Sequence, residues 1–183
     1  MKKETALGGV LCTLLAFSGT MSAHRLDEYL QATRISLGSD RIVVEMDLTP
    51  GADLAALVFA SINTDHDGKI SEAEGAAYAN QVLKEIIVEL DGKHQRLALV
   101  SSAFPSFQEM NAGIGAIRIQ ASAVWTAASG SHSLFYQNNH RTDFGAYLVN
   151  ALIPANREIE ITGQERDPLQ RGMRLAFNVR KKN

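Results

Sequence analysis

Cysteine is nearly missing from this chain. Cys12 is the single one in 183 residues, so no intrachain disulfide can support the fold. It also lies in a segment expected to be removed. Lys2 and Lys3, the apolar run "ALGGVLCTLLAF" and the small polar tail "SGTMSA" have the three-part layout of a secretory signal peptide. The run is 12 residues, short of the roughly 20 needed to span a bilayer. A signal peptide over 1–23 is predicted, cut after Ala23, leaving a single domain over 24–183 with His24 at its start. "GVL" before Cys12 is not a lipoprotein signal, so the mature product is expected to be periplasmic or secreted.

Long apolar runs are otherwise absent, and no membrane span is expected in the mature chain. Charge of one sign is also scarce. Without Lys2, Lys3 and Glu4, 16 basic residues face 19 acidic ones, which gives no electrostatic footprint for nucleic acid or anionic lipid. Catalytic signatures are missing as well: there is no cysteine nucleophile, no G-x-S-x-G, no H-E-x-x-H and no phosphate-cradling glycine loop. Outside one loop the carboxylates are spread along strands and turns. The sequence predicts a protein that is not an enzyme.

What it does have is strand signal. "RIVVEMDL" puts Ile42, Val44, Met46 and Leu48 on one face. "AIRIQASAVW" does the same with Ile117, Ile119, Ala121, Ala123 and Trp125, and "MRLAFNVR" with Leu175, Phe177 and Val179. "REIEIT" alternates too, while "AYLVNALI" is apolar on both faces, as a central strand would be. Turn signals at 38–40, at Asp91 and Gly92, at 128–131 and at 167–172 separate the runs. About nine short strands at this spacing predict an antiparallel, Ig-like β-sandwich, with Trp125 and the "LFYQ" aromatics in its core.

One segment breaks the rhythm. Thr49 followed by Pro50 reads as a helix cap and first-turn residue, and Leu54, Leu57, Val58 and Ile62 recur at helical spacing. Ser71 and Glu74 form a capping box before a second stripe of Tyr78, Ala79, Val82, Leu83 and Ile86. The sandwich is therefore expected to carry a helix-loop-helix insert over 50–86. The segment "SSAFPSFQEMNAG" reads as a long irregular loop.

Between those helices lies "NTDHDGKISEAE", residues 63–74. A calcium ion takes six to eight hard oxygen ligands, and a 12-residue loop between helices offers them at its first, third, fifth, seventh, ninth and twelfth positions. Those places hold Asn63, Asp65, Asp67, the Lys69 backbone carbonyl, Ser71 (through water) and Glu74. Gly68 occupies the sharp turn and Ile70 the apolar eighth position. The pattern resembles the EF-hand loop and predicts Ca2+ as the bound ion. Asn63 stands where an aspartate is usual, so the loop offers three carboxylates rather than four. No second such loop exists in the chain to brace the first. Both departures point to modest affinity, on the order of 10⁻⁴ to 10⁻³ M. The alternative is a loop that keeps its turn without an ion.

The stretches "HRLDEYLQATRISL" and "YLVNALIPANREIEITGQERD" carry a wider resemblance. They resemble exported bacterial EF-hand domain-containing proteins of unassigned function. They are also similar to the periplasmic N-terminal portions of nickel/cobalt permeases and of hydrogenase/urease accessory permeases. That resemblance implies a setting near metal transport, with a membrane metal permease as partner.

The histidines supply a rival reading. His24, if it is the mature N-terminus, pairs an imidazole with a free amine that can chelate copper or nickel, and His132 or His140 could complete the site. On this reading the protein binds a transition metal or serves a metal permease. The bland alternative is that these are unrelated loop histidines, and His66, at a non-ligand place in the acidic loop, needs no role.

Overall fold

Period-two alternation becomes ten strands in two five-stranded sheets. The structure, a computed structural model, describes residues 26–181, so the predicted signal peptide and His24 lie outside the described residues. In chain order the elements are β1 (Tyr29–Leu37), β2 (Arg41–Pro50), α1 (Ala52–Ile62), α2 (Glu72–Lys84), β3 (Ile86–Leu90), β4 (Lys93–His94) and β5 (Ala98–Ala103). There follow α3 (Phe107–Asn111), β6 (Ile117–Val124), β7 (Gly130–Asn138), β8 (Gly145–Ala151), β9 (Ile159–Arg166) and β10 (Gly172–Val179). One sheet has the order β5-β6-β2-β1-β8 and the other β4-β3-β7-β10-β9.

The inner faces meet in one core. Ile42, Val44, Met46 and Leu48 of β2 are each at most 1% exposed, and so are Met173, Leu175 and Phe177 of β10. Burying such a side chain is worth roughly 1.5–3 kcal/mol. A one-residue slip of β2 would turn all four of its residues outward, a loss on the order of 10 kcal/mol, comparable to the stability of a whole domain. The register is fixed by that number. The turn at Asp91 and Gly92 takes φ of 50° and 73°, the doubly left-handed geometry of a two-residue hairpin. Trp125 is buried in the core, and its indole N–H donates to the Gly38 carbonyl at 2.9 Å.

The strands number ten among the described residues, close to the expected count, and the shortest is the two-residue β4. Several expectations need correction. The sheets are not wholly antiparallel: β1 and β8 run parallel. Nor is "AYLVNALI" central. β8 is an edge strand, with Leu148 and Leu152 about two-fifths exposed. Arg166 of the other sheet reaches that edge, donating to the Val149 carbonyl and to Asn150 Oδ1.

The helices also start and face differently. Thr49 and Pro50 finish β2, opposite Leu30 and Tyr29, and Gly51 is the N-cap of α1. The buried stripe of α1 is Ala55, Val58, Phe59 and Ile62, with Leu57 turned outward. Ile86 opens β3 rather than ending α2. The segment expected to be irregular holds the end of β5 and the whole of α3, which has its own capping box at Ser106 and Glu109. Phe107 of α3 packs edge-on against Phe59 at 5.2 Å, which explains the rotation of the α1 stripe.

One buried polar pair joins the two sheets. Thr33 of β1 and Tyr136 of β7 share a hydroxyl–hydroxyl hydrogen bond of 2.9 Å, and Tyr136 is fully buried. A buried hydroxyl that loses its partner costs about 1–3 kcal/mol, whereas removing both partners together is nearly neutral. Thr33→Val is therefore expected to destabilise the protein by about 1–3 kcal/mol in urea titrations. Adding Tyr136→Phe should restore most of that loss. A double variant as unstable as the sum of the singles would contradict the pairing.

Candidate metal centre

The acidic loop hangs between α1 and α2 and is closed at both ends. The amide of Asn63 donates to the Phe59 carbonyl, ending α1, and Ser71 caps α2. His66 and Gly68 take φ of 61° and 82°, two left-handed positions that let the chain double back. Asp65 Oδ1 accepts from the Asp67 amide at 3.1 Å, and Asp67 Oδ1 from the Lys69 amide at 2.7 Å. These local turns hold two carboxylates in place. Ile70 is partly buried against the hydrophobic core, which anchors the loop at its middle.

Glu74 ties the loop across. Its Oε2 accepts from the amide and hydroxyl of Ser71, both at 2.9 Å. Its Oε1 accepts from the amide and hydroxyl of Thr64 and from the amide of Asp65. The Ser71 amide and hydroxyl, ahead of the Asp65 amide and Thr64 hydroxyl, hold its carboxyl down from 4.5 to about 2. Asn63 behaves oppositely. It is 5% exposed, and its Oδ1 is a buried side-chain oxygen with no hydrogen-bond donor. Native proteins seldom leave such an atom unpartnered. The predicted first-position ligand is thus an oxygen that lacks a positive partner.

The donor set is all oxygen: amide, carboxylates, backbone carbonyl and hydroxyl. That suits a hard cation such as calcium and not a soft transition metal. Among the described residues, no three His, Cys, Asp or Glu side chains converge closely enough to hold an ion by themselves. Half of the predicted ligands at 63–74 are of other types, and Glu74 is held by backbone donors.

The helices are clamped from the 104–111 side. Phe104 packs edge-on against Tyr78 at 6.2 Å, and Gly75 lies beneath the same ring, where a Cβ would come within 2.7 Å of it. Tyr78 then enters a buried polar network. Its hydroxyl meets Tyr29 Oη at 3.0 Å and His140 Nε2 at 3.1 Å, while His140 Nδ1 meets Glu85 at 2.7 Å. The Gln31 amide donates to the His140 carbonyl, and Asn138 bridges Gln31 to the His140 amide. The sequence marked Tyr78 as a helix-stripe residue and His140 as a candidate ligand, but not their pairing with Tyr29, Gln31, Glu85 and Asn138; the one signal of it was polarity at the inward position Gln31 of β1.

The predicted histidine site pairs His24, which lies outside the described residues, with His132 or His140. His132 and Asn138 are about 20 Å apart along β7, at ~3.3 Å per residue, and His140 lies beyond. Both ring nitrogens of each are engaged: His132 with Asp91 and the Ala128 carbonyl, His140 with Glu85 and Tyr78. The bond to Asp91 raises the His132 pKa, while burial lowers that of His140. His132 therefore stabilises the fold below pH 6.5 and loses that contribution as pH rises through its raised value. His140 does the reverse, contributing above 6.5 and failing as the solution is acidified.

The sequence matches no protein-family model and no curated protein.

In chelator, the side-chain carboxyl of Glu74 is expected to titrate near pH 2 by carbon-detected NMR. Because its folded pKa is depressed, its contribution to stability is complete above 4.5 and is lost as pH falls toward 2. Ser71→Ala, which removes one donor and the cap, should move the midpoint upward. A wild-type midpoint of 4.5 would mean that the carboxylate does not tie the loop.

Proposed function

We propose that this protein is an exported, non-enzymatic calcium-binding module. On this reading the 63–74 loop is an EF-hand-type site carried by an Ig-like sandwich. The observation that carries the proposal is the buried, unpartnered Asn63 Oδ1 at the first ligand position of a loop whose other ligand positions are all oxygen. Asn63 Oδ1, Asp65, Asp67, the Lys69 carbonyl and Glu74 would hold the ion, with Ser71 acting through water. Bound calcium supplies positive charge among three carboxylates and a partner for the Asn63 oxygen. Glu74 must release the Thr64 and Asp65 amides to serve as a ligand, which is one reason for modest affinity. The support from Ile70 and the 104–111 clamp favours a structural role over a sensor that opens a groove. The rival copper or nickel site receives no free ring nitrogen from His132 or His140.

A ligand that binds only the folded state at a hundredfold excess over Kd adds about 2.7 kcal/mol. For a domain of this size that raises the melting temperature by roughly 5–10 °C. Melting in high calcium against chelator should show such a shift, and Glu74→Gln should abolish it. Asn63→Asp should bind calcium more tightly yet melt lower in chelator, since it buries a carboxylate with no counter-charge. Equal wild-type melting temperatures in calcium and in chelator would overturn the proposal.

A further inference from the structure

The turn between β9 and β10 carries a second candidate site that shares no residue with the 63–74 loop. Asp167 closes the turn between β9 and β10 by accepting the backbone N–H groups of Leu169, Arg171 and Gly172. The Arg171 carbonyl in turn accepts from the Asn138 amide at 3.0 Å. The backbone of Arg171 is thus held from two directions, but its side chain is not satisfied. Its Nε is buried without an acceptor. No ion pair among the described residues involves Arg171 or Arg174.

Both arginines line a cavity of about 640 Å³ together with Phe135, Leu169 and Met173. Arg174 lies over the Phe135 ring, 4.9 Å from its centroid, which orients the guanidinium without neutralising it. Arg166, also in the wall, is already engaged by Val149 and Asn150. Two carboxylates share the rim. Asp167 is committed to the turn, and Glu165 stands opposite Arg174 in the strand register without pairing with it. The cavity therefore combines two uncompensated guanidinium groups with an aromatic and aliphatic wall, and its size falls in the range of small-ligand sites.

We propose that this cavity binds a small organic anion, a carboxylate or phosphate monoester with a compact apolar body. The anionic head meets Arg171 and Arg174, whose planar donors suit either group, and the body lies against Phe135 and Leu169. Glu165 opposes the anion and limits its affinity.

The test is NMR titration of the full protein with benzoate and with phenyl phosphate, using benzamide as the neutral control. Saturable shifts are expected at the side-chain N–H of Arg171 and Arg174 and at the Phe135 ring with one or both anions, and the stronger response identifies the head group. Arg174→Gln and Arg171→Gln should each weaken binding about tenfold, the loss of roughly one charge-assisted hydrogen bond. Glu165→Gln should tighten it several-fold while leaving the fold intact. Benzamide binding as well as benzoate, anion binding unchanged in Arg174→Gln, or no saturation with either anion would each overturn the proposal.

Discussion

An imidazole between a tyrosine hydroxyl and a glutamate joins three parts of this molecule. His140, just past the end of β7, meets Tyr78 of α2 through Nε2 and Glu85 through Nδ1, and its backbone is held by Gln31 of β1 and by Asn138. Helix insert, first sheet and second sheet all converge on it. Burial lowers the pKa of the ring against the pull of Glu85, and the energy at stake is that of several buried polar groups that satisfy one another. Removing one member strands the rest, so the constraint acts as a unit.

That unit sets where the acidic loop sits. α2 is 13 residues long, or about 20 Å at 1.5 Å per residue. Its first turn carries the Ser71–Glu74 cap, and Glu85, immediately after its end, holds the imidazole. A rod fixed at one end by the polar network and along its side by Phe104 presents the loop in one orientation. The arrangement explains how the loop keeps its shape: Ile70 is partly buried against the core, and Phe107 of α3 packs on Phe59 of α1. It also explains why the insert does not disturb the sandwich, since the register of β2, the strand that leads into it, is fixed independently by its own apolar face.

Much of this was readable from residues. The inward faces of β2, β6 and β10 follow from strict alternation, and the two helices follow from their stripes and from the Ser71–Glu74 box. What escaped had physical causes. Thr49 and Pro50 carry a helix-start signal, but their strand pairing with β1 outweighs it. "AYLVNALI" looks central because hydrophobicity alone does not reveal whether a strand has a neighbour on both sides. β1 was hard to read because its inward residues include Gln31 and Thr33, which make sense only beside Asn138 and Tyr136, more than 100 positions away. In the loop, spacing named the predicted ligand positions and the Ser71–Glu74 box, but the burial of Asn63 and the further capture of Glu74 by the Thr64 and Asp65 donors are visible only in three dimensions.

The most direct test is a crystal structure grown in calcium at concentrations well above the expected Kd. The account predicts an ion at 63–74 with Asn63 Oδ1, the Lys69 carbonyl and carboxylate oxygens of Asp65, Asp67 and Glu74 at roughly 2.3–2.6 Å. Glu74 would then have let go of the Thr64 and Asp65 amides. An empty loop, with Asn63 Oδ1 still unpartnered and Glu74 still bound to those amides, would contradict it.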